Sequence, residues 1–266
     1  MKRSFIFIIF VGLLGISCTS LFKKGQKQFS SGEYQYAIST FSKVLEKDPD
    51  NKEANFYVAE SYRLSNRIEK SSAYYEKLVE EDGTFENYFR LGQSYRNQGR
   101  SDEALEAFKQ AKGLTLEDGN LNELDREIAN LQKIDQIEDY WPYIELENFT
   151  LLNTPGPDYA PIVNEGFFYF TSSRQATGIY SATGVPYTKL FRTRADGIKV
   201  DVQNIQALPE FKNEEGLNQG SIAISPDGNT IIYARGNSTS SKDLPDVHLF
   251  ASYFRGGGFT QPIWMP

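Results

Sequence analysis

Cys18 is the only cysteine and His248 the only histidine in the 266 residues. A single Cys excludes an intrachain disulfide framework and any Cys-cluster zinc site. A single His leaves too few ligands for a His-based metal centre and counts against a Ser-His-Asp triad. Asp246 and His248 would share one face of a strand, but two ligands do not make a metal site. Asp118, Asn120 and Asn122 begin like a calcium loop. However, Glu123 stands where that loop requires Gly, and Ala129 where it requires a bidentate Glu. The chain has no Gly-x-Ser-x-Gly elbow, Walker pattern or dinucleotide glycine pattern. The glycines at 256–258 suit a hairpin better than a phosphate cradle. Neither a catalytic residue nor a metal or cofactor is therefore expected. The net charge is −7, from 28 basic and 35 acidic residues, which argues against nucleic acid as a partner. At 39% hydrophobic the chain can bury a core, and its 19 Phe and 16 Tyr favour recognition over catalysis.

Lys2 and Arg3 precede an apolar run from Phe5 to Ile16. A bilayer span needs about 20 apolar residues, so this run reads as an export signal. Leu14-Gly15-Ile16-Ser17-Cys18 resembles a bacterial lipobox, with Gly15 where the pattern carries Leu. The resemblance implies that residues 1–17 are a lipoprotein signal peptide and that Cys18 is acylated as the first mature residue. Three acyl chains, at about 0.8 kcal/mol per buried methylene, would anchor the chain durably. Thr19 and Ser20 bring no acidic pair after the Cys. This favours a lipid-anchored place at the outer membrane, facing the periplasm.

The elements behind these residues repeat. Ala37, Ser71 and Ala104 are spaced by 34 and 33 residues, and Phe41, Tyr75 and Phe108 follow each by four. Five residues before each small residue stand Gly32, Asn66 and Gly99, suited to tight helix–helix turns. Gly25, Ala59 and Gly92 are the small residues of the preceding helices. Three units result, at 18–51, 52–84 and 85–118. This pattern resembles the tetratricopeptide repeat. It implies an α-solenoid whose last unit is capped, and Leu121, Leu124, Ile128, Leu131, Ile134 and Ile137 predict an amphipathic capping helix over 119–140. Its polar face is expected to meet water.

The resemblance also implies a groove lined by the first helix of each unit. Phe22, Phe56 and Phe89 are equivalent there, as are Arg63 and Arg96. Such a groove would suit an extended peptide from a protein partner, with apolar side chains on Phe and a carboxylate on Arg.

After residue 140 the text turns strand-like. Residues 141–157, with Pro142, Pro155 and Pro157, read as a linker or a first outer strand. Over 158–266 two related segments follow. Ala160 to Val163, a turn at Asn164-Glu165-Gly166, and Phe167 to Arg174 answer Ile222 to Ile224, Ser225-Pro226-Asp227-Gly228, and Asn229 to Arg235. Each continues to a further strand, at Lys189–Arg192 and Val247–Phe250, and ends in Leu208-Pro209 or Met265-Pro266. The Ser-Pro-Asp-Gly turn resembles TolB-like, WD40-like propeller blades. The fold class expected is α+β multidomain, an N-terminal helical solenoid followed by all-β blades. Propellers close with about four to eight blades, so two imply an incomplete propeller, expected from a shortened chain, the alternative being blades that complete themselves against another molecule.

Lipobox, tetratricopeptide repeats and TolB-like blades in this order resemble Bacteroidota outer-membrane lipoproteins, some of which serve type IX secretion and carry an OmpA-like domain. The resemblance implies a periplasmic scaffold, with peptidoglycan as a partner only where that further domain is present. The alternatives are a receptor for a glycan or small ligand, or the non-catalytic part of a propeller-bearing hydrolase.

Overall fold

The structure, a computed structural model, describes residues 20–115, 117–134, 147–175, 178–197, 199–208, 211, 216–236 and 247–266. Cys18 with the signal segment, Ile137, Pro142, Asp246 and Pro209 lie outside these residues. The chain divides into a helical unit and a strand-rich unit.

The helical unit is built from pairs. Helix α1 covers residues 20–30 and pairs with α2, Tyr34–Leu45. Helix α3, Lys52–Leu64, pairs with α4, Ser72–Glu81, across a 3₁₀ turn at Ile68–Lys70. Helix α5, Phe85–Asn97, pairs with α6, Ser101–Gly113, and α7 follows at Asp118–Gln132. Side-chain caps start α3 and α5. The Asn51 side chain accepts from the Ala54 N–H at 3.0 Å, and Thr84 Oγ1 from the Asn87 N–H at 3.2 Å. The turns inside the pairs reverse the chain through left-handed backbone. Gly32, Asn66 and Gly99 have φ of 72°, 56° and 75°.

Close helix approach sets the residue types in the pairs. A Cβ on Gly25 would lie 2.7 Å from the Phe41 ring, and one on Gly92 would lie 2.6 Å from Phe108. In the middle pair Ala59 packs beside Tyr75. Ala37, Ser71 and Ala104 are fully buried, as are Phe41 and Phe108. Phe41 also stacks on Tyr57 of the next pair, with ring centroids 4.7 Å apart. Helix α7 covers the last pair with Leu124 and Leu131 against Phe108 and Ala111. One polar residue of α7 departs from the expected solvated face, because Glu127 is buried.

The strand unit holds two antiparallel sheets. The first runs β1 (Asp158–Asn164), β2 (Phe167–Ser172), β3 (Lys189–Asp196) and β4 (Lys199–Val200), with β5 (Gln206–Ala207) also on β3. The second contains β6 (Asn218–Ile224), β7 (Thr230–Gly236), β8 (Val247–Arg255), β9 (Gly258–Phe259) and β10 (Ile263–Met265). Its order is β10-β8-β7-β6, with β9 on β8.

The registers make the sheets repeats of each other. Phe170 pairs with Phe191, and Tyr233 pairs with Phe250. Both first strands carry an irregularity, between Tyr159 and Ile162 and between Gly220 and Ala223. A non-glycine residue with positive φ sits in each, Ala160 at 52° and Ser221 at 53°. Tyr169, Leu190 and Leu208 of the first sheet pack with Ile231 and Tyr233 of the second and with Phe211. On the first sheet's other side Phe170 and Phe191 pack against Leu152.

Candidate protein-binding site

Three residues recur at i, i+4 and i+7 on the first helix of each pair. They are Phe22, Gln26 and Phe29 on α1, Phe56, Glu60 and Arg63 on α3, and Phe89, Gln93 and Arg96 on α5. That spacing puts each trio on one helix face. The aromatic row is graded in exposure. Phe22 is half-buried, with its ring 5.2 Å from Phe41 and 6.0 Å from Tyr57. Phe89 is buried, 5.8 Å from Phe108, and so belongs to the core between α5 and α6. Phe56 stands out at 44% exposed, touching Tyr57 edge-on at 5.6 Å.

Both arginines of the third row are held by the chain's own carboxylates. Arg63 Nε donates to Glu60 Oε1 at 3.0 Å and Nη2 to Oε2 at 2.5 Å. The Tyr75 hydroxyl donates to the same Glu60 at 2.6 Å. Arg96 Nη1 donates to Glu127 of α7 at 2.5 Å. Beside them Arg90 donates to Glu86 at 2.7 Å and to Gln93 at 3.0 Å. Burial alone would raise the Glu60 carboxyl. Hydrogen bonds from Arg63 and Tyr75, with the charges of Arg63 and Arg90, outweigh it and hold that carboxyl below its ordinary value. Arg63 is pushed up by its hydrogen bond to Glu60, and the buried Tyr75 phenol is pushed up by burial and by the Glu60 charge.

Glu60 is legible in retrospect, since a Glu three residues before an Arg on a helix meets it. Glu127 is not, because its partner lies 31 residues away on another helix.

In the strand unit the polar clusters are structural. The Asp158 carboxylate accepts from the Thr154 N–H and hydroxyl at 2.6 and 2.8 Å and from Arg174 at 3.2 Å. The Arg174 guanidinium lies 4.7 Å from the Phe170 ring centre. In the Ser-Pro-Asp-Gly turn Asp227 accepts from Ser225 and from the Asn229 N–H, and Gly228 takes φ 68°. His248 accepts from the Trp264 indole at 3.3 Å. Gly258 pairs back to Arg255, so the glycine triplet forms a hairpin. Asp118, Asn120 and Asn122 lie in the first turns of α7. Among the described residues no group of three metal-ligating side chains converges. Among them, too, no helix is long and apolar enough to cross a membrane.

The second sheet bears an apolar face that stands exposed among the described residues. Leu249 stands in the register of Leu190, and Met265 in that of Leu208. Leu190 and Leu208 are each 1% exposed, whereas Leu249 is 50% and Met265 38%.

Two family models described as tetratricopeptide repeat match residues 28–94 and 85–114. No curated protein matches the chain. Among solved structures the chain is similar to MamA of MSR-1, with 25% identity and a TM-score of 0.38, over 44% of this chain and 67% of that one. It is similar to the first repeat domain of Spaghetti (RPAP3) bound to an HSP90 peptide, with 22% identity and a TM-score of 0.37, over 43% and 93%. The Yersinia enterocolitica chaperone SycD, in complex with a YopD peptide, matches at 14% identity and a TM-score of 0.36, over 46% and 95%. The helical part of this chain is a stack of tetratricopeptide repeats.

Proposed function

We propose that this protein is a non-catalytic scaffold that holds a protein partner on its helical repeats while a lipid on Cys18 keeps it at the outer membrane, facing the periplasm. The observation that carries the reading is the repeat stack itself, with one equivalent face on α1, α3 and α5. Paired helices of this kind spend their small residues on mutual packing and leave the first-helix faces for an extended segment. The lone Cys after a short apolar run supports the anchor. The two strand meanders are blades of a TolB-like propeller in this reading. The uncovered face at Leu249 and Met265 is a second contact surface, and an envelope or type IX secretion assembly is the setting.

Three measurements on the protein from bacterial cells test it. A photo-crosslinking residue at Phe56 should trap the same protein repeatedly, and Cys18→Ser should move the chain from the membrane to the soluble fraction. An unmodified thiol at residue 18 by mass spectrometry would remove the anchor. Absence of any trapped protein would remove the scaffold role.

A further inference from the structure

On α3, Phe56, Glu60, Arg63 and Leu64 lie at spacings of four, seven and eight residues, which brings all four to one face. The two ends of that face are apolar and open, Phe56 at 44% and Leu64 at 42% exposed. At 1.5 Å per residue they stand about 12 Å apart along the axis. Between them the Arg63 guanidinium and the Glu60 carboxylate close on each other through hydrogen bonds from Nε and Nη2, and Tyr75 takes a further lone pair of the carboxylate. The neighbouring charges cancel in the same manner, Arg90 with Glu86 and Arg96 with Glu127. A ligand carboxylate arriving here would have to displace an intramolecular one already satisfied by two donor side chains, and would leave the half-buried Glu60 without its ion pair and held by Tyr75 alone, which is costly.

From this charge balance we infer that the α3 face selects an uncharged peptide segment with two large apolar side chains about 12 Å apart, and that Arg63 is not a carboxylate receptor. An extended segment meets that spacing with apolar residues four apart, at about 3.3 Å per residue. The inference rests on the reading of the repeats as a peptide-binding stack and names the chemistry of the peptide.

The test uses the intact chain and two labelled peptides followed by fluorescence anisotropy. One is a short acetylated, amidated peptide of Ser, Gln and Gly with two leucines four residues apart. Its twin carries Asp between the leucines and a free carboxyl end. The neutral peptide should bind at least about tenfold tighter than the twin, with little change between low and high salt. Phe56→Ala and Leu64→Ala should each weaken it about tenfold. Glu60→Gln, which frees Arg63, should raise the affinity for the acidic twin.

Equal or tighter binding of the acidic twin to the unmodified protein, with steep salt dependence, would overturn the inference and leave the peptide-binding role intact. Failure of both peptides would also overturn it. If crosslinks from Phe56 still trap a protein, only the inference falls; if they trap nothing, the scaffold reading falls with it.

Discussion

Gly25 and Gly92 stand where a methyl group has no room, and the rings they face belong to the core. Gly92→Ala should cost roughly 1–3 kcal/mol of unfolding free energy, since aromatic ring atoms must move to admit it. Phe108→Leu should cost less on the Gly92→Ala background than alone, because the two sites share one space. Urea unfolding of the four chains checks this. A second residue-scale consequence concerns acid. Burial would raise the Asp158 carboxyl, but hydrogen bonds from Ser172, Thr154 and Arg174 hold it below its ordinary value of 3.8. A carboxyl lowered by folding contributes stability above its unfolded pKa and loses it as pH falls through the folded one. The strand unit should therefore weaken as pH drops below about 4. Asp158→Asn should flatten that part of the profile while lowering stability at neutral pH, read by thermal melts across pH.

At the scale of elements, α7 closes the stack with one apolar stripe and one buried charge. Leu124 is fully buried in the cluster that contains Phe89 and Phe108. Leu124→Ala should cost about 2–5 kcal/mol, because the site lies under a helix that cannot collapse into the gap. Glu127→Gln removes the charge but keeps an oxygen for Arg96. It should cost only about 1 kcal/mol, since Arg96 is partly exposed and water can screen it. Hydrogen exchange of α5 and α6 separates the two variants: the first should open the last pair and the second should leave it protected.

Across the whole molecule, the two sheets give a controlled comparison. Leu190→Thr and Leu249→Thr place the same change at equivalent register positions. The first should destabilise the strand unit by roughly 2–4 kcal/mol, as a core truncation with an unpaired hydroxyl. The second should change stability by less than about 1 kcal/mol and lower both dye binding and self-association, because Leu249 faces solvent. Calorimetry and light scattering on the two variants decide between these outcomes. Equal losses would mean that the Leu249 face is structurally covered.

The helical repeats and their turns were legible from residue types alone. A Gly beneath an aromatic ring, a left-handed Gly or Asn between helices, and an aromatic four residues after a small residue are local requirements, and local requirements leave a spacing. The strand positions were legible for the same reason, through alternation and turn chemistry. What no spacing carries is which charges meet across helices. Glu127 reads along the chain as one of many polar residues of an amphipathic helix, and only the docking of α7 on the last helix pair brings it within 2.5 Å of Arg96. Leu190 and Leu249 likewise read alike along the chain, and only the stacking of one sheet on the other buried the first and left the second in water. Periodicity fixes which face of an element is apolar; what covers that face, and which charges close across the gap, depends on long-range contacts that the local pattern does not encode.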